Sequence, residues 1–361
     1  MQKVLLVVVC LCLSGGSAFS IGMGDRVTIN GYSSFEFEKQ LEEDGKGEPN
    51  GSFDADLFDL VTNIQATNRL RIAADITWEH GAATEDGRGN AAVEYAFPEY
   101  TVFNWLKLRA GKMFIPFGIY NEIHTAKPAF LTVKEPLSTN KNHKFGSDVR
   151  FYPRWGCGIA VLGNSSIDKM RLDYILQVSN GDQEMTNPFE EDDNKEKAVA
   201  GRMRFAPFYG LRFGVSGYVD WATQYEMVDG EPEDSGNRLQ LWSLGGQLEW
   251  AIADAALEFE FVGGSYDAGS DAISRWALTA MASYTLKERF TPYFRFELLE
   301  PNTDIDNDMG KMLVYGMNIQ IATPLFLKIE NNTIMADENN GRFSGGNNFY
   351  NEFKTAVAVG F

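Results

Sequence analysis

The chain of 361 residues carries 50 Asp and Glu against 32 Lys and Arg, a formal net charge of −18, with a pI near 4.6. That balance argues against nucleic acid as a partner, because neutralising phosphates needs an excess of Lys and Arg. Beyond the N-terminal segment no stretch approaches the ~20 continuous apolar residues of a membrane helix. The mean hydropathy of −0.25 suits a soluble exported protein, and equally a barrel whose strands hide an apolar face inside an alternating pattern.

The first twenty residues, MQKVLLVVVCLCLSGGSAFS, read as a secretory signal. Lys3 supplies the positive start, Val4 to Leu13 an apolar run too short to span a bilayer, and the small residues around Ala18 and Ser20 a cleavage site. The mature chain is then residues 21–361, and Cys157 is its single cysteine, so no intrachain disulfide forms.

Along the mature chain apolar residues recur at every second position, the period of a strand. Val27, Ile29, Phe35 and Phe37 share one face, with Thr28, Asn30, Glu36 and Glu38 on the other. The pattern returns at Leu70, Ile72, Ile76 and Trp78, at Leu172, Leu176 and Val178, and at Leu211, Phe213, Val215 and Val219. It appears again at Phe290, Phe294 and Phe296, and last in FKTAVAVGF at 353–361. Connections alternate in length. Short turns fall near Asn68, Asn104, Asp168, Pro207, Ala253, Lys287 and Pro324. Longer polar segments fall at 42–55, 82–89, 114–148, 180–196, 223–237, 266–272, 301–310 and 336–346. A soluble β-sandwich has no need of long loops confined to one end. The rhythm predicts an all-β fold, a transmembrane antiparallel barrel of about 16 strands with long extracellular loops and short periplasmic turns. Trp78, Trp105, Trp155, Trp221, Trp250 and Trp276 fall near strand ends, where interfacial aromatic girdles belong. Cys157 reads as a small hydrophobe on the lipid face.

The run LRAGKMFIPFGIYNE (Leu108 to Glu122) resembles the strand-to-loop passage of the phosphate- and polyphosphate-selective porins, where an R-x-G-[KQ]-[FM]-x-x-P-F-like motif opens the third loop. The terminal Phe361 resembles the end signal read by outer-membrane assembly. The resemblance implies a homotrimeric outer-membrane channel of 16 strands, constricted by a third loop that carries Pro116, Phe117, Tyr120 and Glu122. Length supports that last point independently. Segment 114–148 is the longest loop, and Ile115, Ile119, Phe130 and Leu131 make it too apolar for a solvated tether.

The faces opposite the apolar ones supply the candidate pore lining. Arg69, Arg71, Lys107, Arg109, Arg150, Arg171, Arg202, Arg204 and Arg212 fall on neighbouring strands and predict a basic stripe down one wall. Glu36, Glu38, Glu258, Glu260, Glu297, Glu330 and Glu352 predict an acidic complement elsewhere, unless the two sets simply neutralise each other. The long loops are acidic, above all 180–196, where weak divalent cations could bridge to lipopolysaccharide phosphates. TDIDNDMG at 303–310 resembles a calcium loop, although Gly310 comes one place late and Tyr315 stands where a Glu belongs. His80, His124 and His143 are the only histidines, with no serine motif beside them, so neither an enzyme nor a metal centre nor any required cofactor is expected. The sequence therefore points to a porin for small hydrophilic solutes, leaning to anions because the acidic loops are screened by bulk salt. The alternative is a barrel acting through its outer loops as an adhesin or scaffold.

Overall fold

Side-chain alternation fixes the architecture: each strand has one face that water would reject and one that it accepts, and closing the sheet on itself separates the two. The computed structural model describes residues 21–22, 24, 26–41, 50–79, 91–139, 150–181, 187, 189–192, 194–228, 231–267, 271–340 and 349–361. A two-residue strand β1 (Ile21–Gly22) precedes β2 (Val27–Gln40), β3 (Ser52–Gln65), β4 (Leu70–Glu79), β5 (Ala91–Phe103) and β6 (Leu106–Phe114). After a long inserted segment come β7 (Trp155–Ile167), β8 (Met170–Ser179), β9 (Ala198–Phe208), β10 (Leu211–Val228) and β11 (Glu231–Ile252). The series ends with β12 (Ala255–Asp267), β13 (Ala272–Tyr284), β14 (Phe290–Glu300), β15 (Gly310–Ala322), β16 (Leu325–Ala336) and β17 (Phe349–Gly360). Each strand pairs antiparallel with the next, and β17 pairs with β2, so β2 to β17 close a barrel of 16 strands.

Burial inverts that of a soluble domain. Leu244 (63% exposed), Ile159 (64%) and Val215 (59%) face outward, while Arg295 and Lys328 (1% each) are inside. Along β17 the alternation holds residue by residue: Tyr350, Glu352, Lys354, Ala356 and Ala358 are buried, and Phe349, Phe353 and Val357 are exposed. An outward band of apolar side chains on a closed sheet is the surface a bilayer core requires, because closure leaves no unpaired strand edge in hydrocarbon. At the seam β2 and β17 run so close that a Cβ on Gly31 would lie 2.2 Å from the Phe361 ring.

Six of the seven predicted short turns lie between consecutive strands, several of them tightened by positive φ at Asp168, Ala253, Lys287 and Glu288. The seventh comes two residues late, because Pro207 and Phe208 still belong to β9 and the chain turns at Tyr209 and Gly210. The expected loop at 223–237 is different. Here β10 and β11 continue as a hairpin paired out to Val228↔Glu231, so the polar residues extend strands beyond the apolar band. Arg69 lies in the turn before β4, and Arg150 lies ahead of β7, so neither sits on a strand as the pattern implied. Trp155 also departs from the girdle. Its indole Nε1 donates to buried Glu94 at 2.9 Å, which turns the ring under the inserted segment. The signal segment, His80, His143, Asp182, Glu184 and Asp193 fall outside the described residues.

Candidate functional site

The segment between β6 and β7 builds the site. From Ile115 to Thr139 it runs as three short 3-10 turns across the inside of the barrel. Ile115, Phe117, Leu131 and Leu137 bury against Phe151, Tyr152, Ala200, Tyr218 and Val262, with Phe117 stacked on Tyr152 at 4.2 Å. Gly118 takes φ +61, and a Cβ there would meet Glu260 Oε2 at 2.5 Å, so the chain turns hard against the wall.

Polar groups of the wall then satisfy the backbone that this irregular segment leaves open. The Lys328 ammonium donates to the carbonyls of Lys127 (2.5 Å), Phe130 (2.7 Å) and Thr132 (2.9 Å). Glu330 accepts from the Val133 amide at 2.9 Å, Glu297 from Leu137 at 2.5 Å and Glu260 from Ile119 at 2.5 Å. Arg295 donates to Thr132 Oγ1 at 2.7 Å and to the Lys134 carbonyl at 3.0 Å. Tyr120 donates to Glu258, and burial together with that carboxylate pushes its phenol well above the usual range.

These contacts correct the acidic lining read from sequence. Glu260, Glu297 and Glu330 lie beneath the segment, at most 2% exposed, and bind its backbone instead of facing an open passage. Glu258 is taken by Tyr120, and Glu36 by Lys134 at 2.6 Å. Burial opposes the Lys134 charge, yet Glu36 and Asp56 hold its ammonium well above the usual lysine range. Lys354 bridges Glu38 and Glu352, so these two are also paired.

Two larger cavities flank the segment. One, of about 410 Å³ at the long-loop end, is lined by Glu38, Asp54, Asp56, Glu79 and Glu135 against Lys127, Lys134, Arg154, Arg295 and Lys354, a formal balance of five and five. The other, of about 820 Å³, opens towards the short turns at Asn68 and Asn164. Arg69, Arg71, Lys107, Arg109, Arg171, Arg202 and Arg204 line it, against Asp75, Glu99, Glu122 and Asp173, which leaves three formal positive charges in excess. Thr125 lines both cavities. A smaller cavity of about 70 Å³ takes Arg204 and Arg212 on its wall.

The basic residues therefore converge, but most are paired. Strand register places Glu99 opposite both Arg71 and Arg109, and Arg109 reaches it at 2.7 Å, Arg71 at 3.2 Å and Lys107 at 3.6 Å. Arg109 also lies over the Phe97 ring, 4.1 Å from its centroid. Arg171 pairs with Asp173 at 2.9 Å and Arg212 with Glu249 at 3.2 Å. Arg202 binds the Gly118 carbonyl at 3.0 Å and pairs with Glu122. Burial works against the Glu122 charge, but Arg202 and Arg204 hold its carboxyl below the usual range. Among the described residues no carboxylate lies within 4.0 Å of Arg204, which lines both the cavity of about 820 Å³ and that of about 70 Å³. Arg150 does not join the group; its carbonyl accepts from Arg275 outside these cavities.

A β-bulge at Asp75 and Ile76 skips Glu94 and turns it inward, where it meets His124 Nε2 at 3.3 Å. Burial first, and Arg154 next, lower the His124 pKa, so the imidazole is neutral at pH 7. Of the segment's predicted constriction residues, Phe117 and Tyr120 pack into the wall and Glu122 faces the basic cavity. Pro116 is buried just ahead of the segment's first turn. Lys328, Arg295, Lys134 and Glu99 were not singled out from the sequence, although period-two alternation places Lys328 on the inward register of β16 with Glu330.

No protein-family model matches the chain. It is 26% identical over 258 residues to an uncharacterised protein of Aquifex aeolicus (strain VF5), covering 68% of this chain and 53% of that one, so it spans about half the length of that relative. In fold it is similar to OmpF of Salmonella typhi in complex with daunomycin (TM-score 0.64, 11% identity, 95% of this chain and 100% of that one). It is also similar to an anion-selective porin from Comamonas acidovorans (TM-score 0.62, 10% identity, 93% and 99%). A third similar structure is the trimer form of OmpT, an outer-membrane protein of Vibrio cholerae (TM-score 0.60, 13% identity, 93% and 99%). At these identities the likeness is one of fold: the chain is a closed 16-strand antiparallel barrel of the outer-membrane kind.

Proposed function

We propose that the chain is an outer-membrane porin, exported by its N-terminal signal, through which small hydrophilic solutes diffuse, with a preference for anions. The carrying observation is the cavity of about 820 Å³ beneath the inserted segment, with seven basic side chains against four carboxylates. Its formal excess of three positive charges sits in a confined, poorly screened volume, whereas the acidic loops face bulk water, where fields decay over ~8 Å at physiological salt. The anion-selective porin and the OmpT trimer among the similar folds are consistent with this reading and with a homotrimer in lipid and lipopolysaccharide. A phosphate-specific role has no support beyond the motif resemblance.

Reconstitution in a planar bilayer tests the proposal. A discrete ohmic conductance, with a reversal potential in a KCl gradient on the chloride side of zero, is the expected result. A barrel that conducts nothing would remove the porin reading, and strong cation selectivity would remove the anion preference alone.

A further inference from the structure

Away from the cavities, the loop after β14 and the turn after β16 meet at the long-loop end. Asp308, only 4% exposed, lies between them. Its Oδ1, together with Oε1 of Glu300 and Oδ1 of Asn340, is buried and accepts no hydrogen bond from any described group. The Glu300 and Asp308 carboxyls lie within hydrogen-bond reach of one another, and Asp337 adds a further negative charge to the group. Lys311 is taken by Asp337 at 2.6 Å, and among the described residues no cation lies within 4.0 Å of Glu300 or Asp308.

The scaffold around these oxygens is already fixed by backbone and amide bonds. The Asp337 amide donates to the Met309 carbonyl at 2.9 Å, that of Asn339 to Asn307 at 2.7 Å, and Asn340 Nδ2 to the Asp308 carbonyl at 2.5 Å. A buried Asp308 carboxylate and the half-buried Glu300 carboxylate beside it repel each other, and each unpaired buried oxygen costs further free energy. A hard cation removes both penalties at once.

We propose that Glu300, Asp308 and Asn340 form a site for a divalent cation of the calcium class. Among the described residues no group of three His, Cys, Asp or Glu side chains could hold a metal. The donor set is instead two carboxylates and one amide oxygen, which suits an oxygen-seeking ion with water completing its shell. The calcium-loop spacing of TDIDNDMG is not used as such. Asp304 and Asp306 are exposed, and only Asp308 turns inward, to partners from two other places in the chain. The porin reading is not needed for this site.

Hydrogen exchange read by mass spectrometry on the full chain in detergent tests it, with 10 mM CaCl2 against EDTA. At a dissociation constant of ~1 mM, usual for extracellular calcium modules, mass action slows opening of the bound region about tenfold. That slowing is expected at 301–309 and 337–340 and is expected to vanish in Glu300→Gln/Asp308→Asn. No calcium effect in the wild type overturns the site and leaves a proton shared between the two acids. Equal slowing in the variant assigns calcium to other acidic loops and also overturns it. Where the double variant does not fold, Glu300→Gln alone serves, with loss of the calcium effect expected and its full retention overturning the proposal.

Discussion

Replacing Lys328 by methionine should release the inserted segment without harming the barrel. All three ammonium hydrogens are used, on carbonyls of Lys127, Phe130 and Thr132, a set that an uncharged amine with two hydrogens could not make. Methionine keeps the length and the packing against Phe130 but donates nothing. Each carbonyl left without a donor costs ~1–3 kcal/mol, roughly 3–9 kcal/mol for the three. Freedom from desolvating an ammonium returns several kcal/mol of that. The net, on the order of 2–5 kcal/mol, is enough to populate displaced positions of residues 127–132, since 1.4 kcal/mol is a factor of about ten in population. The β15–β16 and β16–β17 ladders are backbone bonds and stay intact. Single-channel recording should therefore show a broadened distribution with a higher mean conductance, while heat-modifiable migration on gels is unchanged. A single sharp conductance level equal to the wild type would refute the reasoning, because the segment would then be held by something other than Lys328.

Three further outcomes follow from the same geometry. Arg204→Gln should shift the reversal potential towards cations with little change in conductance, because Arg204 lines the cavity with no carboxylate within 4.0 Å among the described residues; Arg202→Gln should also raise conductance, since Arg202 holds Gly118 and Glu122. Deleting residues 119–138 should enlarge conductance and move selectivity towards cations, because Glu260, Glu297 and Glu330 lose the amides they bind; enlarged conductance with unchanged selectivity would count against their ionisation. The Glu122–Arg202 tie rests on a carboxyl whose pKa is lowered from 4.5, so its stabilisation is present above that value and is lost only as pH falls through the lower folded one. Conductance attributable to this contact should be flat from pH 5 to 8, and a step within that window would contradict the assignment.

Period-two alternation was enough to read the barrel, because a residue's face depends only on its place within its own strand. Phe353, Val357 and Lys354 take the faces the pattern assigns. The alternation in connection length was equally local and placed the short turns. It misread 223–237, because a hairpin that continues beyond the membrane is polar like a loop yet still paired. Knowing that Glu297 and Glu330 point inward did not reveal what they meet. Whether an inward carboxylate faces water or the underside of a loop depends on where residues 115–139 lie, a tertiary fact. The pairing of Glu99 with Arg71 and Arg109 likewise depends on register across three strands. Trp155 shows the same limit: its position in the strand suggested lipid, and a bulge two strands away, on β5, gave it Glu94.

The seam between β2 and β17 has a consequence for assembly. Every other neighbouring pair in the barrel is consecutive along the chain, so hairpins can form one after another from local contacts. The seam joins residues such as Glu38 and Lys354, 316 positions apart. Bringing such distant ends together costs only ~2–3 kcal/mol more than closing a hairpin, because loop entropy grows with the logarithm of length. The barrier to closure is thus small in energy but global in character: a curled sheet with all its hairpins formed still presents two bare edges. Such a sheet could add strands from a second copy as readily as its own, at nearly the same backbone geometry. What favours self-closure is proximity, and the Gly31–Phe361 pair, with reciprocal amide bonds of 2.9 Å, sets the register in which the edges meet. A bulky residue at position 31 should therefore leave the hairpins intact and appear as slow or intermolecular closure, a kinetic defect in a chain whose local structure is sound.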